Sequence, residues 1–164
     1  MSTRQWAMID LDGTLSDCTH RAAYAAVARR PGLTRAHRNA AWKAFHARCV
    51  DDPPHEAECE LVRVWVAAGH GVVYVTGRTN DFRAETEAWL HRWEVPAGDH
   101  LMMRPPDSTA LNTDYKRLVY EHIWSSAIIP FGQRVDFVME DDDRLVEMWR
   151  AMGLTCLQPR RSSH

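Results

Sequence analysis

The chain has 164 residues, 45% hydrophobic and 26% charged, the size of one globular domain with one continuous core. A formal net charge of -2 and a pI near 6.5 exclude a bulk electrostatic drive toward nucleic acid or anionic membrane, so any such binding has to come from a local patch. Cys18, Cys49, Cys59 and Cys156 show no C-x-x-C spacing, which reads as reduced thiols rather than a disulfide framework or a zinc site.

In chain order, the apolar run Trp6 to Asp10 predicts a first strand. It is far too short for a signal-peptide core, and no stretch of the chain approaches a transmembrane span. A cytoplasmic protein that does not engage a membrane is expected. The stretch from Ser16 to about Pro54 carries two helical patterns, Arg21 to Arg29 and Thr34 to Arg48, broken by Pro31-Gly32. This pair is expected to form a small helical cap inserted over the strand ends, spanning about residues 16–54, with the core about 1–15 and 55–164 in a single domain. A short linker at Asp51-Asp52-Pro53-Pro54 closes the insertion.

Further on, a helix over Glu56 to Ala68 is closed by Gly69 and followed by a strand over Val72 to Thr76. A helix over Phe82 to Trp93 leads to a weaker strand at His100 to Met103. Then come a helix over Thr113 to Ser125, a strand over Arg134 to Glu140, a helix over Asp143 to Met152 closed by Gly153, and a last strand over Thr155 to Gln158. Strands alternating with helices of this length predict an α/β fold, a mainly parallel five-stranded sheet covered on both faces, with ligands bound at the carboxyl ends of the strands.

At the end of the first strand stands Ile9-Asp10-Leu11-Asp12-Gly13-Thr14-Leu15. Two carboxylates two residues apart, where an apolar strand runs into a glycine turn, point toward a shared site at that edge. An Asp-Gly turn after a strand is common in itself. The complete D-x-D-G-T-L is much rarer by chance.

These residues resemble motif I of the haloacid dehalogenase (HAD) superfamily of phosphatases. The resemblance implies a Rossmann-like HAD fold, with Asp10 as nucleophile and Asp12 as general acid/base. A carboxylate attacks phosphorus and splits one displacement into two, while its neighbour protonates the leaving oxygen and then activates water. Related transport ATPases usually carry threonine at the second position, so Asp12 favours a hydrolase. The resemblance makes Thr14 a substrate contact. It implies a divalent cation as well, because two carboxylates would otherwise repel a phosphate dianion.

Val72-Val73-Tyr74-Val75-Thr76-Gly77-Arg78 resembles motif II: Thr76 would donate to phosphate, Arg78 would grip it, and Gly77 would lie against it. Motif III needs a lysine, and the chain has only Lys43 and Lys116. Lys116, at the start of a predicted helix between the third and fourth strands, fits the superfamily's placement. Lys43 reads as a solvated surface residue. Glu140-Asp141-Asp142-Asp143 resembles motif IV, with Asp141 as direct Mg²⁺ ligand, Glu140 behind a water, and Asp10 and the Asp12 carbonyl completing the set; hard carboxylate oxygens suit this ion. Asp143 and Asp142 read equally as acids favoured at a helix N-terminus.

The run from Glu140 to Arg150 and on to Gln158 is similar to the end of the phosphatase domain of bacteriophage polynucleotide kinase-phosphatases. That likeness puts Arg21 at a phosphate-contacting arginine and Asn112 where the family has an aspartate, although a helix cap is the plainer reading of Asn112. Glu140, Asp142 and Asn112 depart from the pattern. Trp42-Lys43-Ala44-Phe45-His46 is reminiscent of small phage HAD proteins, with little mechanism attached. Nine histidines offer no pair at helical ligand spacing with a matching acid.

The resemblance suggests a phosphate on a nucleotide sugar, either a 3′-phosphate at a nucleic-acid end or a free mononucleotide. The first wants a basic groove with stacking aromatics, for which Arg29, Arg30, Arg35, Arg38, Trp42 and Phe45 are candidates. A solvated arginine face over core-facing rings is the plain alternative. The acidic balance favours the nucleotidase reading, whereas the small cap favours a polynucleotide 3′-phosphatase. No G-x-x-x-x-G-K-[ST] occurs, so any kinase or ligase partner is expected to be separate. A HAD-fold binding module without turnover is the reading of a different class. Against it stand Asp10, Asp12, Thr76 and Lys116, which fill all four core functions.

Overall fold

The computed structural model describes residues 4–106, 108, 110–125, 128–130 and 133–159. Five strands, β1 (Trp6–Ile9), β2 (Gly71–Thr79), β3 (His100–Arg104), β4 (Val135–Met139) and β5 (Cys156–Leu157), form one sheet in the order β3-β2-β1-β4-β5. Every pairing is parallel. The helices are α1 (Ala22–Ala28), α2 (Arg35–His46), α3 (Glu56–Ala67), α4 (Arg83–Arg92), α5 (Asn112–Ser125) and α6 (Asp143–Ala151).

Alternation along the strands sorts side chains onto two cores. Trp6, Met8, Val73, Val75 and Val138 pack with Tyr115, Val119 and Ile123 of α5 and with Leu145, Val146 and Trp149 of α6. Ala7, Ile9, Val72, Tyr74 and Met139 pack with Cys59 and Val62 of α3 and with Trp89 and Leu90 of α4. Central β1 is buried on both faces, so its sequence reads as a continuous apolar run and not as an alternating one. The expected α/β architecture, a parallel five-stranded sheet with alternating helices, is therefore observed, and Gly69 and Gly153 take positive φ (86° and 80°) just beyond α3 and α6.

Three boundaries differ from expectation for physical reasons. β2 runs on through Thr76, Gly77 and Arg78 to Thr79, its register against β3 shifting between Thr76 and Thr79, so the strand extends three residues past its expected end at Thr76. Single 3₁₀ turns, Thr19–Arg21 and Asn80–Phe82, precede α1 and α4. The expected linker is instead built into the structure: Asp52 is fully buried, and Pro54 bridges to Ser16. Between β1 and α3, α1 and α2 pack on each other, with the Thr34 hydroxyl capping α2 by accepting from the His37 N–H at 3.3 Å. The four cysteines are free. No helix among the described residues is long and apolar enough to cross a membrane.

Met8 lies at the centre of β1 with 1% exposure. Met8→Ala is expected to lower stability by about 2–5 kcal/mol, measured by chemical denaturation; a loss below 1 kcal/mol would mean that this face can collapse around the cavity.

Candidate active site

The site is built where β1 ends. The Asp10 N–H donates to the Met139 carbonyl at 3.0 Å, tying the first residue after β1 to the end of β4. The chain then folds tightly, with the Leu15 and Ser16 N–H groups both donating to the Leu11 carbonyl at 2.9 Å. Gly13 makes this loop possible: its φ is +86°, and a Cβ there would lie 2.7 Å from the Asp141 carboxyl carbon. The two carboxylates of the loop consequently serve two separate clusters.

On one side, the buried Lys116 ammonium donates to Asp10 Oδ1 and to Glu140 Oε2, each at 2.6 Å. Burial opposes the lysine's charge, but the two carboxylates outweigh it and raise its pKa above the ordinary value. Burial, with the nearby Glu140 and Asp12 charges, raises Asp10 despite Lys116. Asp10, Glu140 and Asp141 offer carboxylate oxygens that all lie within 4.8 Å of one another. Three carboxylates gathered around one ammonium, which pairs with Asp10 and Glu140, leave excess negative charge, and this donor set of hard oxygens fits a divalent cation. The Thr14 hydroxyl, fully buried, lies 3.3 Å from Asp10 Oδ2 and 3.4 Å from Asp141 Oδ1 as donor to either. Thr14 thus spans the expected nucleophile and metal ligand.

On the other side, Asp12 Oδ1 accepts from Arg21 Nη2 at 2.5 Å and from Arg78 Nε and Nη2 at 2.9 and 2.6 Å. Burial would raise its pKa, but the two guanidiniums prevail and hold it well below the carboxylate range. Both arginines are fully buried. They are held from behind by Asp52, which accepts from Arg21 Nε and Nη2 at 2.7 and 2.5 Å and lies 3.5 Å from Arg78 Nη2. Asp52 also meets His20 Nε2 at 2.8 Å, while its backbone carbonyl accepts from the indoles of Trp89 and Trp93. Arg21 is sandwiched further, its guanidinium 3.9 Å from the Phe45 ring centroid. Sequence reasoning passed over Asp52. The only signal was an acid beside prolines that resembles a solvated turn.

The other expected residues fall as follows. Thr76 is fully buried at the same edge, its hydroxyl accepting from the Arg78 N–H at 3.2 Å. Gly77 faces Asn112, whose Oδ1 would be 3.1 Å from a Cβ there. Asn112 is the first residue of α5, and its buried Oδ1 has no hydrogen-bond partner among the described residues, so it does not cap the helix. Asp142 does cap α6, accepting from the Arg144 N–H at 3.0 Å, and Asp143 accepts from Gln158. Lys43 is exposed, 3.7 Å from Asp81. Arg29, Arg30, Arg35 and Arg38 are exposed, Trp42 is half-buried beneath Arg29, and Phe45 is turned inward.

The family described as polynucleotide kinase PNKP phosphatase domain matches residues 32–163. The chain belongs to this family of HAD phosphatases. No functionally curated protein matches it. Among solved structures, a chain of the Pnkp1/Rnl/Hen1 RNA repair complex superposes with a TM-score of 0.73 at 22% identity, over 98% of this chain and 44% of that one. A haloacid dehalogenase-like hydrolase from Streptococcus pneumoniae gives 0.61 at 13% identity, covering 96% and 85%. CbbY from Rhodobacter sphaeroides, solved with phosphate, gives 0.61 at 16%, covering 99% and 89%. The chain spans less than half the length of the repair-complex chains it matches, 44% and 48%. These likenesses establish the HAD fold, and the family match identifies this member as a PNKP-type phosphatase.

Removing Asp52 strands two buried guanidiniums with one carboxylate between them. Asp52→Ala is expected to cost about 3–5 kcal/mol of stability, the scale for breaking a buried ion pair, measured by denaturation. A loss under 1 kcal/mol would show that Asp12 alone satisfies both arginines.

Proposed function

We propose that this PNKP-type phosphatase is a Mg²⁺-dependent phosphomonoester hydrolase that acts through an aspartyl-phosphate on Asp10, with 3′-phosphate ends of nucleic acid as its substrate. The family match over residues 32–163 carries the substrate reading. Asp10, Asp141 and Glu140, with the Asp12 backbone carbonyl, would hold Mg²⁺, which when bound offsets the carboxylate charge and that of the phosphoryl group. The convergence of the Asp10, Glu140 and Asp141 carboxylate oxygens, all within 4.8 Å of one another, supports this assignment.

In the first step an Asp10 carboxylate oxygen attacks phosphorus, and the P–O bond to the leaving alcohol breaks. Asp12 supplies the proton that the leaving oxygen takes up. In the second step Asp12 removes a proton from water, which attacks phosphorus and returns Asp10 to its carboxylate form, releasing inorganic phosphate. Lys116 keeps one Asp10 oxygen fixed, and Thr76 and Gly77 border the phosphoryl position at the end of β2. Arg21 and Arg78 have a double use. Without substrate they neutralise Asp12; an arriving dianion competes for the same guanidiniums, and as they turn toward it Asp12 regains the ability to hold a proton.

The repair-complex likeness supports a separate ligase or kinase as working partner, and the four free thiols fit a reducing, cytoplasmic setting. The test is Mg²⁺-dependent phosphate release from a 3′-phosphorylated oligonucleotide, its 5′-phosphorylated twin and free 3′- and 5′-mononucleotides. Selective release from the 3′-end substrate is expected, abolished by chelation and reduced on the order of 10⁴-fold or more in Asp10→Asn, the scale of losing a catalytic nucleophile. Preference for free mononucleotides would make the chain a nucleotidase. Equal rates in Asp10→Asn would remove the covalent mechanism.

A further inference from the structure

His46 ends α2 and is turned away from solvent, with 6% exposure. Its ring lies between aromatic neighbours: Trp42 stacked at 6.1 Å, Phe45 edge-on at 5.6 Å, and Phe82, in the turn after β2, edge-on at 5.8 Å. These contacts fix the imidazole plane and join the inserted helix to the sheet edge. Its Nδ1 atom is buried and has no hydrogen-bond partner among the described residues. A polar atom in that state is costly unless a ligand or water completes it.

Two facts place His46 beside the chemistry. The neighbouring Phe45 lends its ring and its carbonyl to Arg21, the carbonyl accepting from Nη1 at 3.2 Å, and Arg21 binds Asp12. The charges acting on His46 are those of Asp12, Arg78, Arg21 and Arg104. It therefore lies on the Asp12 side of the site. Two more buried polar atoms without partners among the described residues belong to this side, Thr79 Oγ1 and Arg104 Nε, contributed by residues paired across β2 and β3. Burial, reinforced by Arg78 and Arg21 against the pull of Asp12, lowers His46 to about 4. At neutral pH the imidazole is uncharged and can accept or donate one hydrogen bond.

We propose that His46 is a specificity residue for the leaving alcohol, its Nδ1 pairing with a hydroxyl adjacent to the phosphorylated oxygen, as the 2′-hydroxyl of a ribose is. This deepens the proposed function and rests on it: if Asp12 protonates the leaving oxygen, the sugar that bears that oxygen must lie on the Asp12 side, where the unpartnered atoms are. An uncharged ring suits a neutral hydroxyl better than a further phosphate. Stacking on Trp42 and the edge-on contact with Phe82 hold the ring rigid, so the contact discriminates by geometry and at low entropic cost.

The test compares two 3′-phosphorylated oligonucleotides identical except for a ribose or a 2′-deoxyribose at the terminal position. The readout is the ratio of kcat/KM values for the pair in one preparation, which does not depend on the fraction of enzyme that is folded. The parent protein is expected to favour the ribose end by about three- to tenfold, the worth of one neutral hydrogen bond. His46→Phe, which keeps the stacking, is expected to bring the ratio to about one, and His46→Asn, whose amide can occupy the Nδ1 position, to restore part of it. A parent ratio of one, or a ratio unchanged in His46→Phe, overturns the proposal. Turnover with no ribose preference defeats this inference alone. Absence of turnover of either substrate by the parent defeats the proposed function and this inference with it.

Discussion

Taking an ionised side chain out of water costs several kcal/mol, and only close, well-aligned opposite charge offsets it. At the carboxyl edge of this sheet, Asp10, Asp52 and Glu140 are buried, as are Arg21, Arg78 and Lys116, with Asp12 partly covered among them. The arrangement holds because each cation lies between two carboxylates: Lys116 between Asp10 and Glu140, and Arg21 between Asp12 and Asp52. Everything else in the site follows from keeping these charges in register. The β1 and β4 backbones are tied at Asp10, Gly13 gives Asp141 room to approach, and two tryptophans anchor the Asp52 backbone from below.

The consequence is a site divided by function. Residues in a strand alternate faces, but Asp10 and Asp12 lie beyond the last strand residue, where the Leu11-to-Ser16 loop sends one carboxylate to the lysine and the other to the arginines. Opposite environments push the two groups in opposite directions, Asp10 upward and Asp12 downward. A pair of chemically identical carboxyls thereby becomes distinguishable by its surroundings alone. The excess negative charge falls on the Asp10 side, where a cation fits, and the guanidinium donors fall on the Asp12 side.

Much of this was legible in the sequence because the determining signals are local. Apolar runs ending in Asp10 and Glu140 mark strands that deliver acids to one edge, and with two lysines in the chain the choice of Lys116 was almost forced. What could not be read was anything set by packing between distant segments. Asp52 stands beside prolines and resembles a turn; only the return of the chain to Ser16 shows that it is buried against Arg21, 31 residues earlier. Arg78 lies past the strand end expected at Thr76, and the strand's continuation to Thr79 lays it across Asp12. Asn112 showed polarity suited to a cap, but its place inside the first turn of α5 leaves Oδ1 facing Gly77.

The stretch before α3 does more than cover the strand ends. Its first turn supplies Arg21, its second helix supplies the Phe45 ring that closes over that guanidinium, and its last turn leads directly into Asp52. One continuous segment therefore provides both the cation that restrains Asp12 and the anion that restrains the cation. A rigid-body displacement of this segment would have to pull Arg21 out of a buried ion pair with a strand-anchored residue, at a cost of several kcal/mol. Such a constraint argues for a segment fixed to the core and not one that opens and closes over each substrate. The outer face of the same segment is left to solvent, with the α2 arginines exposed and Trp42 half-buried beneath Arg29.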